Sequence, residues 1–367
     1  MSRIYRFVII CTVLICCAAF DKCALFAQTQ MVLAPFGSNN VPEIQIANAD
    51  GSNIRPVLPP AFGPHVVSVA VDPRDQTIYY GGYAADYDIG RVKIDGTGKT
   101  TLYSLHALDP LVFNRSNATP APYGISLDTI HNKLYWVGGQ NNTNGFGLDI
   151  PTFIQRSNLD GSNVQIVRQS LWTASSPYSL VVNGAAGKMY WTDESDFSIR
   201  NANLDGSGMQ TLLHRAASGV PEFPWLLGGL AIDFQHQVMF WSELTADHHH
   251  TNIMSAGLDG SGVHNVITVS QVFDNWFGMP TVTAIDVDSA TSQLYFANSS
   301  ATYSPTIGLL GAVYRSNYDG SNLQTLIAST SRPFGLALLT VPEPSSVVVL
   351  LWALGTIGIA RRTKLVV

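Results

Sequence analysis

Cysteine is the first thing this chain lacks. Of its 367 residues only four are cysteine, and Cys11, Cys16, Cys17 and Cys23 all fall near the start. If that stretch is a removed leader, the remaining chain has no disulfide framework and no thiol chemistry. Charge is scarce as well: 13% of residues are charged, about half the usual share. The net charge of −6 comes from scattered acids, and the 20 Lys and Arg residues form no basic stripe, which excludes nucleic-acid binding. Catalytic signatures are missing too, with no Gly-x-Ser-x-Gly elbow and no His-Glu-x-x-His pair. "GTGKT" at Gly96 ends like a phosphate loop, but Lys93 stands where the earlier glycine is required. These absences point to a chain that is not an enzyme and carries no cofactor. A hydrophobic content of 46% rules out a disordered protein and allows one large domain or two ordinary ones.

Both ends differ from the middle. "MSRIYR" supplies positive charge and "FVIICTVLICCAAF" is an apolar run with the length of a signal-peptide core. Residues 1–27 are therefore expected to be an export signal, with Ala27 at the cleavage position and Leu25 at the third position back. The last 27 residues, 341–367, read "VPEPSSVVVLLWALGTIGIARRTKLVV", with an uncharged run from Val347 to Ala360 followed by Arg361, Arg362 and Lys364. Fourteen apolar residues fall short of the roughly 17 to 25 of a membrane-spanning helix, and arginines just beyond the run suit a cytoplasmic end. The arrangement resembles the PEP-CTERM sorting signal of Gram-negative bacteria: a Pro-Glu-Pro motif, a short hydrophobic helix and a basic tail. That resemblance makes Pro342, Glu343, Pro344, Arg361 and Arg362 sorting residues. It implies an exosortase-type processing enzyme as partner, transient anchoring in the inner membrane, and delivery to the cell envelope or extracellular matrix.

Between the two ends the chain repeats itself. "NADGSNIRPV" at Asn48, "KIDGTGKTTL" at Lys93, "NLDGSNVQIV" at Asn158, "NLDGSGMQTL" at Asn203, "GLDGSGVHNV" at Gly257 and "NYDGSNLQTL" at Asn317 are six copies of one pattern. Five of them have an aromatic strand upstream: "TIYYGG", "KLYWVG", "KMYWTD", "VMFWSE" and "QLYFAN". Seven residues before each first aromatic stands Asp72, Asp128, Asn183, Asp233 or Asp288, closing an apolar run. The unit therefore reads strand, short turn, aromatic strand, variable loop, strand, Asp-Gly turn, strand, and Gly supplies the positive φ that a tight hairpin needs. Repeated units of four antiparallel strands spell an all-β propeller. The motif "YWTD" at Tyr190–Asp193, with "RNANLDGSGMQTLL" behind it, resembles the LDL-receptor class B repeat, whose six units form a six-bladed propeller. The likeness extends over residues 30–339, although Gly138, Glu243 and Asn298 replace Asp193 in other units. It implies that the motif residues pack and hydrogen-bond between blades.

The ends of the repeat region complete each other. "QMVLAPFG" and "EIQIANADGSNIRPVL" supply strands two to four of a unit without a first strand, while "RPFGLALL" at Arg332 is a first strand with nothing after it. Pairing the last strand with the first three closes a ring over residues 28–340 and removes the open sheet edge.

Loop lengths show where a ligand would sit. The aromatic-to-Asp-Gly distance varies from 15 residues after Tyr190 to 25 after Tyr135, and the connection after the fourth strand varies too. In an up-and-down blade both emerge on one face, and loops on a rigid scaffold carry binding residues. Phe113, Phe146, Phe223, Trp225, Trp276 and Phe277 lie in these segments among Asn and Asp. They are the candidate binding residues, suited to stacking on sugars or gripping a protein. "ADHHHTN" could place His248 and His250 on one side of an extended segment, but two imidazoles do not make a zinc site. Asp72, Asp128, Asn183, Asp233 and Asp288 invite comparison with the channel metal of propeller lactonases. Their place at the constant short turn assigns them instead to closing turns through backbone hydrogen bonds. The reading is an exported, non-catalytic binding or scaffold propeller for polysaccharide or protein, and the alternative is a metal-dependent propeller hydrolase of the lactonase or esterase kind.

Overall fold

A computed structural model describes residues 29–36, 43–59, 65–83, 88–104, 119–141, 151–171, 177–214, 227–245, 250–270, 282–304, 308–329 and 332–340. Every regular element among them is a β-strand. Blade 1 contains β1 (Thr29–Phe36), β2 (Ile44–Asn48) and β3 (Arg55–Leu58). Blade 2 contains β4 (His65–Asp72), β5 (Thr77–Tyr83), β6 (Asp88–Lys93) and β7 (Thr100–Ser104). Blade 3 follows with β8 (Thr119–Ala121), β9 (Ile125–Asp128), β10 (Lys133–Asn141), β11 (Pro151–Asn158) and β12 (Gln165–Leu171). Blade 4 is β13 (Pro177–Asn183), β14 (Lys188–Asp193), β15 (Ser198–Asn203) and β16 (Gln210–His214). Blade 5 is β17 (Leu227–Asp233), β18 (Val238–Leu244), β19 (His250–Gly257) and β20 (His264–Ser270). Blade 6 is β21 (Val282–Asp288), β22 (Gln293–Ser304), β23 (Gly308–Asn317) and β24 (Gln324–Ser329). The last strand, β25 (Arg332–Thr340), joins blade 1 in the order β25-β1-β2-β3. The ring thus closes as the two incomplete ends of the repeat region predict, with the chain's last described strand completing its first blade.

Blade 3 departs from four plain strands because its inner strand is broken. β8 and β9 both pair with β10, and residues 122–124 between them leave the ladder. The break has counterparts elsewhere: inner strands β4, β13, β17 and β21 shift register at Val66/Ser68, Pro177/Leu180, Leu227/Leu230 and Val282/Ala284. A bulge at one level increases local twist, which a radial blade requires. In blade 3 Pro122 has no N–H to donate and Gly124 lies against Tyr178 O and Leu180 N of the next inner strand, so the bulge opens into a gap.

The core lies between blades. Tyr79 and Ile89 of blade 2 pack on Ile125, Leu134 and Trp136 of blade 3. Tyr135, Val137 and Ile154 meet Leu180, Met189 and Trp191; Tyr190 and Ile199 meet Leu230, Met239 and Trp241. Phe240 and Ile253 meet Ile285 and Phe296. The closing junction is built the same way, with Met31, Leu33 and Leu336 against Tyr295, Ala297 and Val313. Each aromatic strand sends alternate side chains into the junctions before and behind it, as period-two geometry demands. Inner strand β17 is buried at all seven positions, because a blade covers each of its faces.

Candidate functional site

The ring has two faces. One carries the short turns between strands 1 and 2, residues 73–76, 129–132, 184–187, 234–237 and 289–292, together with the six Asp-Gly turns. On this face the predicted turn-closing residues do that work. Asp72 accepts from Arg74 N, Asp128 from Ile130 N and His131 N, Asn183 from Ala186 N, Asp233 from Gln235 N and His236 N, and Asp288 from Ala290 N. Asp72, Asp128 and Asp233 are almost wholly buried. Each recruits a further partner. Arg74 grips Asp72 through Nε and Nη2 and reaches Thr129 O of the next blade at 2.6 Å. His131 Nδ1 lies 2.7 Å from Asp128 and His236 Nδ1 2.7 Å from Asp233. Tyr318 donates its hydroxyl to Asp233 at 2.8 Å. Burial would raise the Asp233 pKa, but the hydrogen bonds from His236 and Tyr318 outweigh it and hold the group at about 2. Burial and the Asp233 carboxylate push the Tyr318 hydroxyl far up.

The Asp-Gly turns do more than reverse the chain. In the first, Gly51 N donates to Asn48 O and Asn48 N to Ser52 O, so the loop is a type I turn followed by a glycine bulge. Asp50 Oδ1 accepts from Ser52 N at 2.9 Å, and the same contact recurs from Thr97, Ser162, Ser207, Ser261 and Ser321. All six aspartates are held below the usual carboxylate range, first by the hydroxyl and then by the backbone N–H of that residue. A Cβ on Gly51, Gly96, Gly161, Gly206, Gly260 or Gly320 would meet a strand-four carbonyl of the preceding blade at 2.7 Å or less. Arg91, Arg156 and Arg315 donate to the carbonyls of Leu159, Leu204 and Ala49, each just before the next blade's Asp-Gly. The pattern repeats because every copy is also a joint with its neighbour.

The "YWTD" residues are structural, as the resemblance implies. Trp191 Nε1 donates to Asp193 at 3.3 Å, and Thr192 Oγ1 donates to Gly228 O of blade 5 at 3.1 Å. The departures from the motif keep the indole satisfied. In blade 5 Trp241 Nε1 donates to Glu243 at 3.2 Å. In blade 3, where Gly138 replaces the acid, Trp136 turns to Gln155 at 2.9 Å. Blade 6 has Phe296 there, with no N–H to satisfy.

The opposite face receives the connections between strands 2 and 3 and between blades. Phe113, Phe146, Phe223, Trp225, Trp276 and Phe277 belong to these connections and lie outside the described residues, as do His248, Pro342, Glu343, Pro344, Arg361 and Arg362. His250 opens β19, where its N–H donates to Thr245 Oγ1 at 3.1 Å. Among the described residues no group of three or more His, Cys, Asp or Glu side chains converges on a metal position. A groove of ≈ 670 Å³ between blades 2 and 3 includes Arg74, Tyr79, Arg91 and His131 on the short-turn face. Its charges are largely committed: Arg74 to Asp72, Asp75 to Lys93, His131 to Asp128.

A cavity of ≈ 280 Å³ runs along the inner strands of all six blades. These strands end their sheets, so each turns one hydrogen-bonding edge toward this tunnel. Neighbouring blades satisfy part of that edge. Ser126 Oγ accepts from Val182 N, and Ser179 Oγ accepts from Leu230 N. Ser68 donates to Pro122 O, and Thr283 to Pro333 O. The one carboxylate lining the cavity among the described residues is Asp286, whose Oδ2 accepts from Leu338 N at 2.7 Å. Sequence reasoning passed over these residues. The available signal was a polar side chain at a point where the other inner strands carry Ala70, Val181, Ala231 and Ala337.

No family model matches the chain. It is 28% identical over 152 residues to the cueball protein of Drosophila willistoni, a match covering 40% of this chain and 20% of that protein. It is 22% identical over 230 residues to low-density lipoprotein receptor-related protein 1 of Pyricularia oryzae, covering 59% of this chain and 71% of that one. Among solved structures, a chain of a nidogen–laminin complex superposes with a TM-score of 0.59 at 16% identity, over 85% of this chain and 99% of that chain. TolB from Acinetobacter baumannii gives 0.58 at 10% identity, over 85% and 66%. The structural likenesses show the fold, and together with the sequence relatives they support a propeller of the LDL-receptor class B type.

Proposed function

We propose that this chain is an exported, non-catalytic propeller that binds a polysaccharide or protein of the cell envelope or extracellular matrix through the face carrying its long connections. The observation that carries this reading is how fully the short-turn face is committed to holding the ring together. The short-turn face commits its carboxylates to backbone N–H groups, its glycines to the preceding blade and three of its arginines to turn carbonyls. By strand order the other end of each blade carries the connections in which the six candidate aromatics fall in the sequence, and those residues lie outside the described ones. A chain that shares the fold was solved within a nidogen–laminin complex, and a rigid ring presenting loops suits recognition. Export by residues 1–27 and exosortase-type sorting by 341–367 complete the proposal. Pro342, Glu343 and Pro344 are the recognition motif, and Arg361 and Arg362 hold the cytoplasmic end before processing.

The test has two arms. Purified mature protein is applied to an array of glycans and envelope proteins, while the same preparation is analysed for metal and screened against lactones and esters. Specific capture without turnover supports the binding reading. Stoichiometric calcium with turnover replaces it by the hydrolase alternative. Mass spectrometry of the envelope-associated protein addresses sorting: the mature chain should lack residues 347–367, and a chain retaining Arg361 and Arg362 would mark a simple anchor.

A further inference from the structure

Glu43 and Asp88 occupy one repeat position in consecutive blades, five residues before Asn48 and Lys93, which open the Asp-Gly motifs. The other four blades carry Phe153, Ser198, Asn252 and Ala312 there, so the fold itself does not require an acid. Glu43 immediately precedes β2 and is 7% exposed. Its Oε2 lies 3.6 Å from Lys99 Nζ of blade 2, too far for a hydrogen bond, and the side chain therefore reaches toward that blade. Asp88 opens β6. Tyr79 and Ile89 face blade 3, so by alternation Tyr80 and Asp88 face blade 1. Tyr80 pairs with Gly90, where a Cβ would collide with the phenol, and the missing side chain lets the ring lie across β6. Thr101 Oγ1 donates to Asp88 Oδ2 at 3.3 Å. The remaining oxygens of the two acids, Glu43 Oε1 and Asp88 Oδ1, are buried and have no hydrogen-bond partner.

We propose that Glu43 Oε1, Asp88 Oδ1 and the Tyr80 hydroxyl are the protein ligands of a calcium ion held between blades 1 and 2, with water completing its shell. A carboxylate oxygen withdrawn from water and given no donor is costly, and one cation in the gap removes that cost for both acids. The acids also act on the same phenol: burial first, then the charges of Glu43 and Asp88, push the Tyr80 hydroxyl up to about 12. It is thereby a neutral oxygen ligand. An all-oxygen set suits calcium over zinc, and calcium's tolerance of irregular geometry suits a gap between two blades better than magnesium's strict octahedron. Two carboxylates match the ion's charge. Three protein oxygens are few, which places the dissociation constant at about 10⁻⁴ to 10⁻³ M, the range of extracellular modules. Lys99, whose side chain is 51% exposed, is the competing cation and turns to solvent when calcium enters. The site needs no ligand on the long connections and stands apart from the recognition reading.

The experiment titrates calcium chloride into chelator-treated mature protein by calorimetry and follows the thermal midpoint with and without the ion. Glu43→Gln and Asp88→Asn keep the shape of each side chain and remove its charge, and Lys99→Met removes the competitor. The wild type should take up calcium with a midpoint that rises as the ion is added. Either acid variant should weaken the binding about tenfold or more, since affinity follows the ligand charge count, and Lys99→Met should tighten it. Without calcium the order reverses: Glu43→Gln should unfold at or above the wild-type midpoint, because it relieves an unpaired buried charge. A fall of that midpoint in the chelated protein would instead make Lys99 the partner of Glu43 and overturn the proposal. So would no binding up to about 10 mM, ten times the weak end of the expected range, or equal affinity in the wild type and both folded acid variants. Calcium bound here without turnover is distinct from the hydrolase alternative, which requires both.

Discussion

The glycine of each Asp-Gly pair shows how one residue can serve two levels of structure. Its φ near +84° is a demand of the turn, and the absence of a Cβ is a demand of the next blade. Two substitutions in blade 4 separate them. Gly187 has φ +65° with open space around it, whereas Gly206 has φ +85° and faces Val167 O. Gly187→Ala should cost about 1 kcal/mol, the left-handed penalty alone. Gly206→Ala should cost about 3 kcal/mol or more, because backbone must move as well. Urea unfolding of both variants measures the difference, and equal losses would show that the carbonyl contact is not limiting. The Trp136 indole offers a second residue-scale test. Gln155→Leu leaves a buried N–H unsatisfied and should cost about 1 to 3 kcal/mol. Adding Trp136→Phe, which copies the aromatic that blade 6 carries, should recover part of that loss, and a fully additive cycle would contradict the pairing.

At the scale of the strand, closure is the decisive feature. β25 contributes Leu336 and Leu339 to the buried core, worth roughly 3 to 6 kcal/mol together by burial, and it covers the free edge of β1. Deleting 332–340 should lower the thermal midpoint sharply and broaden the transition, and cooperative unfolding at an unchanged midpoint would contradict ring closure by this strand. Much of this was legible in the sequence. The constant seven-residue spacing and the Asp-Gly turns are local, so alternation and turn chemistry reveal them, and the two half-units at the ends announce their pairing. What stayed hidden is non-local. Thr192 to Gly228 and Asp286 to Leu338 join residues 36 and 52 positions apart, and which edge atom they meet depends on how one blade rotates against the next. Two of the bulged inner strands were equally silent, since β4 and β21 carry no Gly or Pro to announce their register shifts.

At the scale of the whole molecule, the junctions between blades give a frame whose short-turn face holds the ring together, and the proposed reading assigns recognition to the other face. The six candidate aromatics could be chosen from the sequence because loop length varies on one face only, but which of them meet a ligand depends on loop conformation that local patterns do not encode. The direct test is a hydrogen-exchange footprint of the mature protein bound to its best array ligand. The account predicts protection in peptides covering 105–118, 215–226 and 271–281 and the strand ends beside them, lost in a Trp225→Ala/Trp276→Ala variant of unchanged thermal stability. Protection centred on the Asp-Gly turns at Asp50, Asp160 or Asp259, with the long connections unchanged, would contradict it.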